Sequence, residues 1–333
     1  MSGGVDSSVA AALLLEQGHD VTGVTLKLWG GASDSGCCSV ADVEDARRVA
    51  AQLGVPHYVF NLTDEFTTSV VAPYVDSHAA GCTPNPCVEC NRSIKFGRLL
   101  ERSEALGFDY LATGHHARVV ATGGAYALGR GADAAKDQSY VLYMLGQREL
   151  ARTKFPVGEL TKADVRAHSA RLGLRTADKP ESMDVCFITR GGRNAFLAER
   201  VPPRAGAIVD GRGATVGRHE GIGAFTVGQR RRLGVSVGER RYVVDVDART
   251  ATITIGESAD LLRNAVVLRD LTFVDARPGT RELDVQVRAH GVPVGASLDG
   301  TTVRFAAPQP RVAPGQVVAL YDGDTLVGGG IAT

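Results

Sequence analysis

Ser2-Gly3-Gly4-Val5-Asp6-Ser7-Ser8 decides the fold, because it stands directly ahead of an apolar run, Val9-Ala10-Ala11-Ala12-Leu13-Leu14-Leu15. Val9, Ala12 and Leu13 fit a helix, polar Glu16 and Gln17 follow, and Gly18 is a natural stop. A glycine-rich turn therefore leads into a helix N-terminus. Backbone N–H groups and the positive end of the helix dipole favour an anion there, and glycine lets it approach the backbone closely. The stretch lacks the lysine of a Walker loop and does not match the dinucleotide fingerprint.

Working outward, the first third alternates strand and helix. Residues 21–26 predict a strand. Ser39 caps a helix running to Leu53, with Gly54 as its stop. A strand at 58–60, helices over 63–78 and 94–106, and a strand at 110–112 follow. Gly123-Gly124 predicts a hairpin, and 157–172 reads as helix. This is the pattern of a doubly wound parallel sheet, in which ligands bind at the C-terminal ends of the strands. A phosphate loop of this kind hangs from a buried strand, yet Met1-Ser2 leads straight into it. The expectation is that about eight to ten residues, a strand plus its lead-in, belong upstream and that their absence costs stability and activity.

Bulk properties narrow the class. At 333 residues, two or three domains are expected. Hydrophobic residues make up 44% and charged residues 22%, as in ordinary globular proteins. No apolar run reaches transmembrane length and there is no basic-then-apolar leader, which predicts a cytoplasmic enzyme. The 37 basic and 37 acidic residues cancel, but between Ile188 and Arg241 eleven Arg face four acidic residues, a local charge of +7. Arg230-Arg231-Arg232 and Arg240-Arg241 are its densest part and point to phosphate-backbone contact. From about Asn194 the character changes. Strand patterns at 242–246 and 251–255, then an all-β region from Leu261, predict a small central domain and a C-terminal β-barrel. The expected boundaries are 1–193, 194–258 and 259–333.

The six cysteines are 37, 38, 82, 87, 90 and 186, and none lies in the last 147 residues. Such clustering argues against a secreted disulfide scaffold and for thiols near one site. In Thr83-Pro84-Asn85-Pro86-Cys87-Val88-Glu89-Cys90-Asn91-Arg92-Ser93-Ile94-Lys95-Phe96, two prolines stiffen a loop that presents thiols just before a helix, near Arg92 and Lys95. That setting favours thiolate. A further block is Glu181-Ser182-Met183-Asp184-Val185-Cys186-Phe187-Ile188.

The opening stretch resembles the pyrophosphate (PP) loop of the ATP pyrophosphatases. Together with the two cysteine blocks, the chain resembles the tRNA-specific 2-thiouridylases. Further matches are Ala112-Thr113-Gly114-His115, Lys136-Asp137-Gln138-Ser139-Tyr140, Phe155-Pro156-Val157-Gly158, Thr226-Val227-Gly228-Gln229-Arg230, Pro314-Gly315-Gln316 and Gly328-Gly329-Gly330-Ile331. The resemblance implies ATP-dependent thiolation of the wobble uridine of tRNA. By position it implies Cys90 as nucleophile and Cys186 as persulfide carrier; Asp6 is expected to order the loop and its metal. It implies nucleotide contacts from Ser2 to Ser8, Leu26 and Gly114. It implies tRNA contacts at Asn85, Pro86, Cys87, His115, Lys136, Asp137, Gln138, Arg288 and Gln316. ATP with Mg2+, a cysteine desulfurase or sulfur-relay donor, no membrane partner and a monomeric state complete the expectation.

Two departures from the family pattern stand out. Many members carry Asp where this chain has Cys87, and Arg231-Arg232 replaces the usual Lys-Gly. Cys87, Cys90 and Cys186 also leave an iron–sulfur cluster open. The nearest rival readings are other users of the same loop, an amidoligase or a cytidine thiolase; an amidoligase would not need the cysteine blocks. A non-catalytic RNA-binding protein would not need Asp6-Ser7-Ser8.

Overall fold

The computed structural model describes residues 1–29, 39–180, 185–188, 192–235, 238–279, 281–289 and 291–333. Cys37, Cys38 and Glu181-Ser182-Met183-Asp184 lie outside the described residues.

The loop opens helix α1, Val5–Glu16, with Gly4 as its N-cap. Val5, Val9 and Ala10 pack against Val157 and Val165, so α1 is fixed against the Lys162–Arg171 helix. Helix α2, Val40–Leu53, has the predicted caps. The Ser39 hydroxyl accepts from the Asp42 N–H at 3.2 Å, and Gly54 closes the helix at φ 71°, where a side chain would be strained.

Two helix readings need correction. The segment read as helix over 157–172 becomes helical only at Lys162. Thr161 and Asp164 form a reciprocal capping box there. Ahead of it Gly158 packs so tightly that a Cβ would meet the Ala117 carbonyl oxygen at 1.9 Å. The helix read from Ile94 begins instead at Pro86, so Cys87 and Cys90 lie in its first turns rather than in a loop before it. It widens into π-helix over Cys90–Leu99 before Leu100–Ala105. The 63–78 segment is helical as expected, from Thr63 to Ala79, with a π-helical turn at Thr67–Val71. Such widened turns arise from packing rather than local propensity.

The strands are β1 Gly23–Lys27, β2 His57–Asn61, β3 Leu111–Ala112, β4 Ala117–Thr122, β5 Ala125–Arg130 and β6 Thr153–Lys154 in the first part. The middle part holds β7 Gly206–Val209, β8 Thr215–His219, β9 Tyr242–Asp247 and β10 Thr252–Gly256. The last part holds β11 Leu262–Phe273, β12 Glu282–Gln286, β13 Val294–Asp299, β14 Thr302–Pro310, β15 Val317–Asp322 and β16 Thr325–Ala332. β1 pairs parallel with β2, and β3 parallel with β6, as two separate ladders. The phosphate loop runs between them. On one side Met1 lies beside β1, its carbonyl accepting from Thr25 Oγ1 at 2.7 Å and its amine reaching the Val24 carbonyl. On the other side Gly114, just past β3, touches the loop.

The middle sheet, β8-β7-β10-β9, covers a core of Ile208, Phe225, Val243, Ile253 and Ile255. The last six strands close into a barrel, β11-β14-β13-β12-β15-β16 and back to β11. The Gly123-Gly124 hairpin, β4–β5, extends this barrel sheet: Leu326 of β16 pairs with Leu128 of β5. One core joins Leu128, Tyr140 and Tyr143 to Val317, Ala319, Tyr321 and Leu326.

Candidate active site

No side chain caps the N-terminus of α1, so the first-turn N–H groups are not claimed by a cap. Around them the loop braces itself. The Ser7 hydroxyl accepts from the Ser2 N–H at 3.1 Å, and the Ser8 hydroxyl donates to the Gly4 carbonyl at 2.9 Å. Gly3 is required twice over: φ is 71°, and a Cβ would meet the Asp42 carbonyl oxygen at 2.3 Å. A Cβ on Gly114 would meet the Asp6–Ser7 backbone at 2.7 Å. Leu26 is half-buried in β1 opposite Phe60.

Asp6 is the charged centre. Lys162 Nζ lies 2.7 and 2.8 Å from its two carboxylate oxygens, and His116 Nε2 lies 3.3 Å from one of them. Burial works against ionisation of this carboxyl, but the hydrogen bonds from His116 and Lys162 and the charge of Lys162 hold it below its ordinary pKa. It is an anion at neutral pH. Sequence reading singles out neither Lys162 nor His116. The capping box Thr161-Lys162-Ala163-Asp164 was the available signal for the helix that carries Lys162.

The expected tRNA-contacting residues divide by exposure. His115 is buried between Phe96 and Phe155, its Nδ1 2.6 Å from Thr113 Oγ1. Burial, then the nearby Lys95, pushes its pKa well down, so it is a neutral ring. Asp137 is buried too. It accepts from the Gly131 and Ser139 N–H groups at 3.0 and 3.1 Å and pairs with Arg130 at 2.9 Å. Arg130 stacks 3.7 Å from the Tyr321 ring centroid, and the Ser139 hydroxyl lies 2.9 Å from the Tyr321 hydroxyl. His115 is thus held within the N-terminal part, whereas the Asp137 network reaches the barrel through Arg130, Ser139 and Tyr321. Gln138 and Arg288 are exposed and Lys136 half-exposed. Gln138 Oε1 accepts from the His116 N–H at 3.0 Å.

The cysteine segment is anchored by all three parts of the chain. The Thr83 N–H donates to the Pro314 carbonyl at 2.7 Å, and Gln316 Nε2 donates to the Thr83 carbonyl. The Thr83 hydroxyl reaches the Thr226 hydroxyl at 3.3 Å. Asn85 caps the helix by accepting from the Cys87 N–H at 3.0 Å, and Pro86 occupies its first position. Cys87 is exposed, while Cys90 is buried in a core with Phe66, Tyr74, Ile94, Phe187 and Phe196. Cys186 is partly buried against that same core. Arg92 does not simply accompany the thiol: it bonds Glu89 at 3.3 Å and the Tyr143 hydroxyl at 3.0 Å. His78, edge-on to Tyr74 with ring centroids 4.6 Å apart, is buried with Nε2 unpartnered, and burial pushes its pKa down to about 4.

In the middle sheet's neighbourhood, Arg230, Arg232, Arg240 and Arg241 line a cavity of about 530 Å³. Arg232 holds φ at 61°, a conformation that costs a non-glycine residue about 1–2 kcal/mol. Arg241 is bridged at 3.0 Å to both Glu239 and Glu257.

Three family models match in succession: a tRNA methyl transferase HUP domain over residues 1–190, a tRNA methyl transferase PRC-barrel domain over 194–257, and an aminomethyltransferase beta-barrel domain over 263–332. A protein of Roseiflexus castenholzii named tRNA-specific 2-thiouridylase MnmA is 47% identical, covering 99% of this chain and 97% of its own. The chain belongs to the tRNA-specific 2-thiouridylase family. Relatives of that name from Chloroflexus aggregans and Symbiobacterium thermophilum are 48% and 43% identical over 99% of this chain, covering 96% and 90% of their own. The fold is that of the family: a HUP domain, a PRC-barrel and a closed β-barrel.

The loop suits the ATP that this family's HUP domain uses. It offers uncapped helix donors, hydroxyls and one anionic carboxylate that could share a divalent cation with phosphates. An iron–sulfur cluster fits less well. Among the described residues no three His, Cys, Asp or Glu side chains are arranged to hold a metal ion, and Cys87 is exposed where Cys90 is buried. No helix among the described residues is long and apolar enough to cross a membrane.

Proposed function

We propose that this chain is an ATP-dependent tRNA sulfurtransferase that forms 2-thiouridine at the wobble position. The observation that carries the reading is the pairing of two sites. A phosphate loop with an anionic Asp6 lies in the same unit as one apolar core shared by Cys90 and Cys186. Carbon 2 of uracil is urea-like, and its oxygen leaves poorly. In the proposed reaction that oxygen attacks the α-phosphorus of ATP, pyrophosphate departs, and the carbon acquires AMP as a leaving group. The terminal sulfur of a Cys186 persulfide then attacks carbon 2 and AMP leaves. Cys90 thiolate attacks Cys186 Sγ, which breaks the persulfide S–S bond and closes a Cys90–Cys186 disulfide. A thiol reductant reopens it. Release of hydrogen sulfide by Cys90 before attack is the alternative order.

The chain's own residues have separate tasks in this reading. Ser2 to Ser8 seat the phosphates, Asp6 orders the loop with Mg2+, and Leu26 and Gly114 bound the nucleotide. The apolar core around Cys90 keeps the sulfur nucleophile away from water. Asn85, Pro86 and Cys87 meet the extruded base. Lys136, Gln138, Arg288 and the Arg230–Arg232 cavity take the tRNA backbone, with Gln316 at the junction. The units are 1–193, 194–258 and 259–333. A cysteine desulfurase or sulfur-relay protein supplies the persulfide sulfur, and the enzyme works as a cytoplasmic monomer. Mass spectrometry of tRNA nucleosides after incubation with ATP, Mg2+ and a persulfide donor tests the reading. 2-Thiouridine with stoichiometric pyrophosphate is expected. Pyrophosphate release independent of tRNA would point to another PP-loop chemistry.

A further inference from the structure

The phosphate loop contains no lysine, and its one charged side chain is an anion. A carboxylate at an anion site repels phosphate unless a cation accompanies it. The fold brings one from 156 residues away: Lys162 Nζ bridges both Asp6 oxygens at 2.7 and 2.8 Å. Lys162 is no surface residue swinging by chance, since its side chain is 12% exposed. It is the first residue of its helix, with the Thr161–Asp164 capping box before it. Its backbone N–H is fixed to Asp133 at 2.9 Å. The helix body is held on α1 by Val165 packed with Val5 and Val9. Two helix starts thus converge, one supplying backbone donors and the other the ammonium.

We propose that Lys162 is a catalytic residue of the adenylation step, the phosphate-binding lysine that the loop itself lacks. With ATP seated, its ammonium contacts the phosphate oxygens while staying paired with Asp6. It then neutralises charge as the bond from the α-phosphorus to pyrophosphate breaks. This rests on the proposed ATP-dependent thiolation.

The test compares wild type, Lys162→Met, Lys162→Arg, Asp6→Asn and the double variant Asp6→Asn/Lys162→Met. ATP binding is read by calorimetry with Mg2+, and tRNA-dependent pyrophosphate release is measured beside it. The double variant leaves no buried charge unpaired, so it keeps the proposal testable if Lys162→Met folds poorly. Lys162→Met should weaken ATP binding about tenfold or more, the scale of one lost charged hydrogen bond. Lys162→Arg should recover part of the affinity, and the double variant should bind ATP more weakly than Asp6→Asn alone. Equal affinity and equal pyrophosphate release in Asp6→Asn and the double variant would overturn the proposal, since Lys162 would then serve Asp6 alone. Failure of the thiolation reading would look different: wild type would bind ATP yet make no 2-thiouridine.

Discussion

The phosphate loop and the cysteine segment lie in the same N-terminal unit and have opposite surroundings. The Asp6 carboxylate is met by charged and polar groups, Lys162 and His116, and the loop beside it is braced by the hydroxyls of Ser2 and Ser7. Around Cys90 the neighbours are rings and aliphatics, Phe66, Tyr74, Ile94 and Phe187, with Phe187 and Tyr74 edge-on at 5.4 Å. The difference follows the chemistry proposed for each. Phosphoryl chemistry needs fixed charge to meet developing charge, whereas a persulfide is protected by exclusion of water. One chain can hold both because the first site is built on helix starts and the second inside a helix, beneath aromatic side chains.

Breaking each side should give separable losses. Cys90→Ser and Cys186→Ser should each abolish 2-thiouridine, measured by nucleoside mass spectrometry, while ATP binding stays at the wild-type level. Wild-type thiolation in either variant would end the assignment of these two thiols. Asp6→Ala strikes the polar side. Pyrophosphate release should fall by about a hundredfold or more, the scale of one lost preorganised electrostatic group. Normal release would mean that Asp6 is only structural.

Acid sharpens the contrast. His78 sits on the apolar side with a folded pKa of about 4 against an ordinary 6.5. Between those values the unfolded chain binds a proton that the folded chain refuses. Stability is therefore fully present above about pH 6.5 and falls as the pH drops to about 4, by about 3 kcal/mol. The Asp6 pair behaves oppositely in position: its carboxyl is held below the ordinary 3.8, so it stays ionised throughout that window. Urea unfolding across this range should show a decline that His78→Gln flattens. A decline unchanged by His78→Gln would place its origin elsewhere.

The smallest effect concerns the Arg-rich segment of the middle part. Neutralising Arg230, Arg231 and Arg232 should weaken tRNA binding and flatten its log–log salt dependence by about one unit per lost phosphate contact. An unchanged slope would make these residues a solvated face.

Legibility in the sequence followed the range of the interactions. The loop with its helix, and the Ser39-to-Gly54 helix, were readable because caps and glycines act within a few residues. The barrel was readable as alternating strands from Leu261 onward. The Lys162–Asp6 pair was not, since nothing local in either segment reports a contact across 156 residues. The burial of His115 and Asp137 was equally hidden. Both are polar residues in motifs that read as contacts, and only the packing of Phe96, Phe155 and Tyr321 around them and their partners reveals a supporting place. The π-helical turns at Thr67 and Cys90 leave no mark in the periodicity.

The strand that joins β5 to the barrel has a consequence for how the chain is made. Leu128 and Tyr140 share their core with Val317, Tyr321 and Leu326, and Tyr140 donates its hydroxyl to the Val317 carbonyl at 2.8 Å. On a ribosome the N-terminal unit emerges first, yet this part of its interior cannot close until the residues around Leu326 follow. At about 5–20 residues per second, the wait for nearly two hundred residues is roughly ten seconds or more. During that interval the β4–β5 hairpin presents an open edge, the kind of surface that holding chaperones bind. The completed nucleotide-binding unit is thus a late product of synthesis, finished by the barrel strand rather than by its own sequence.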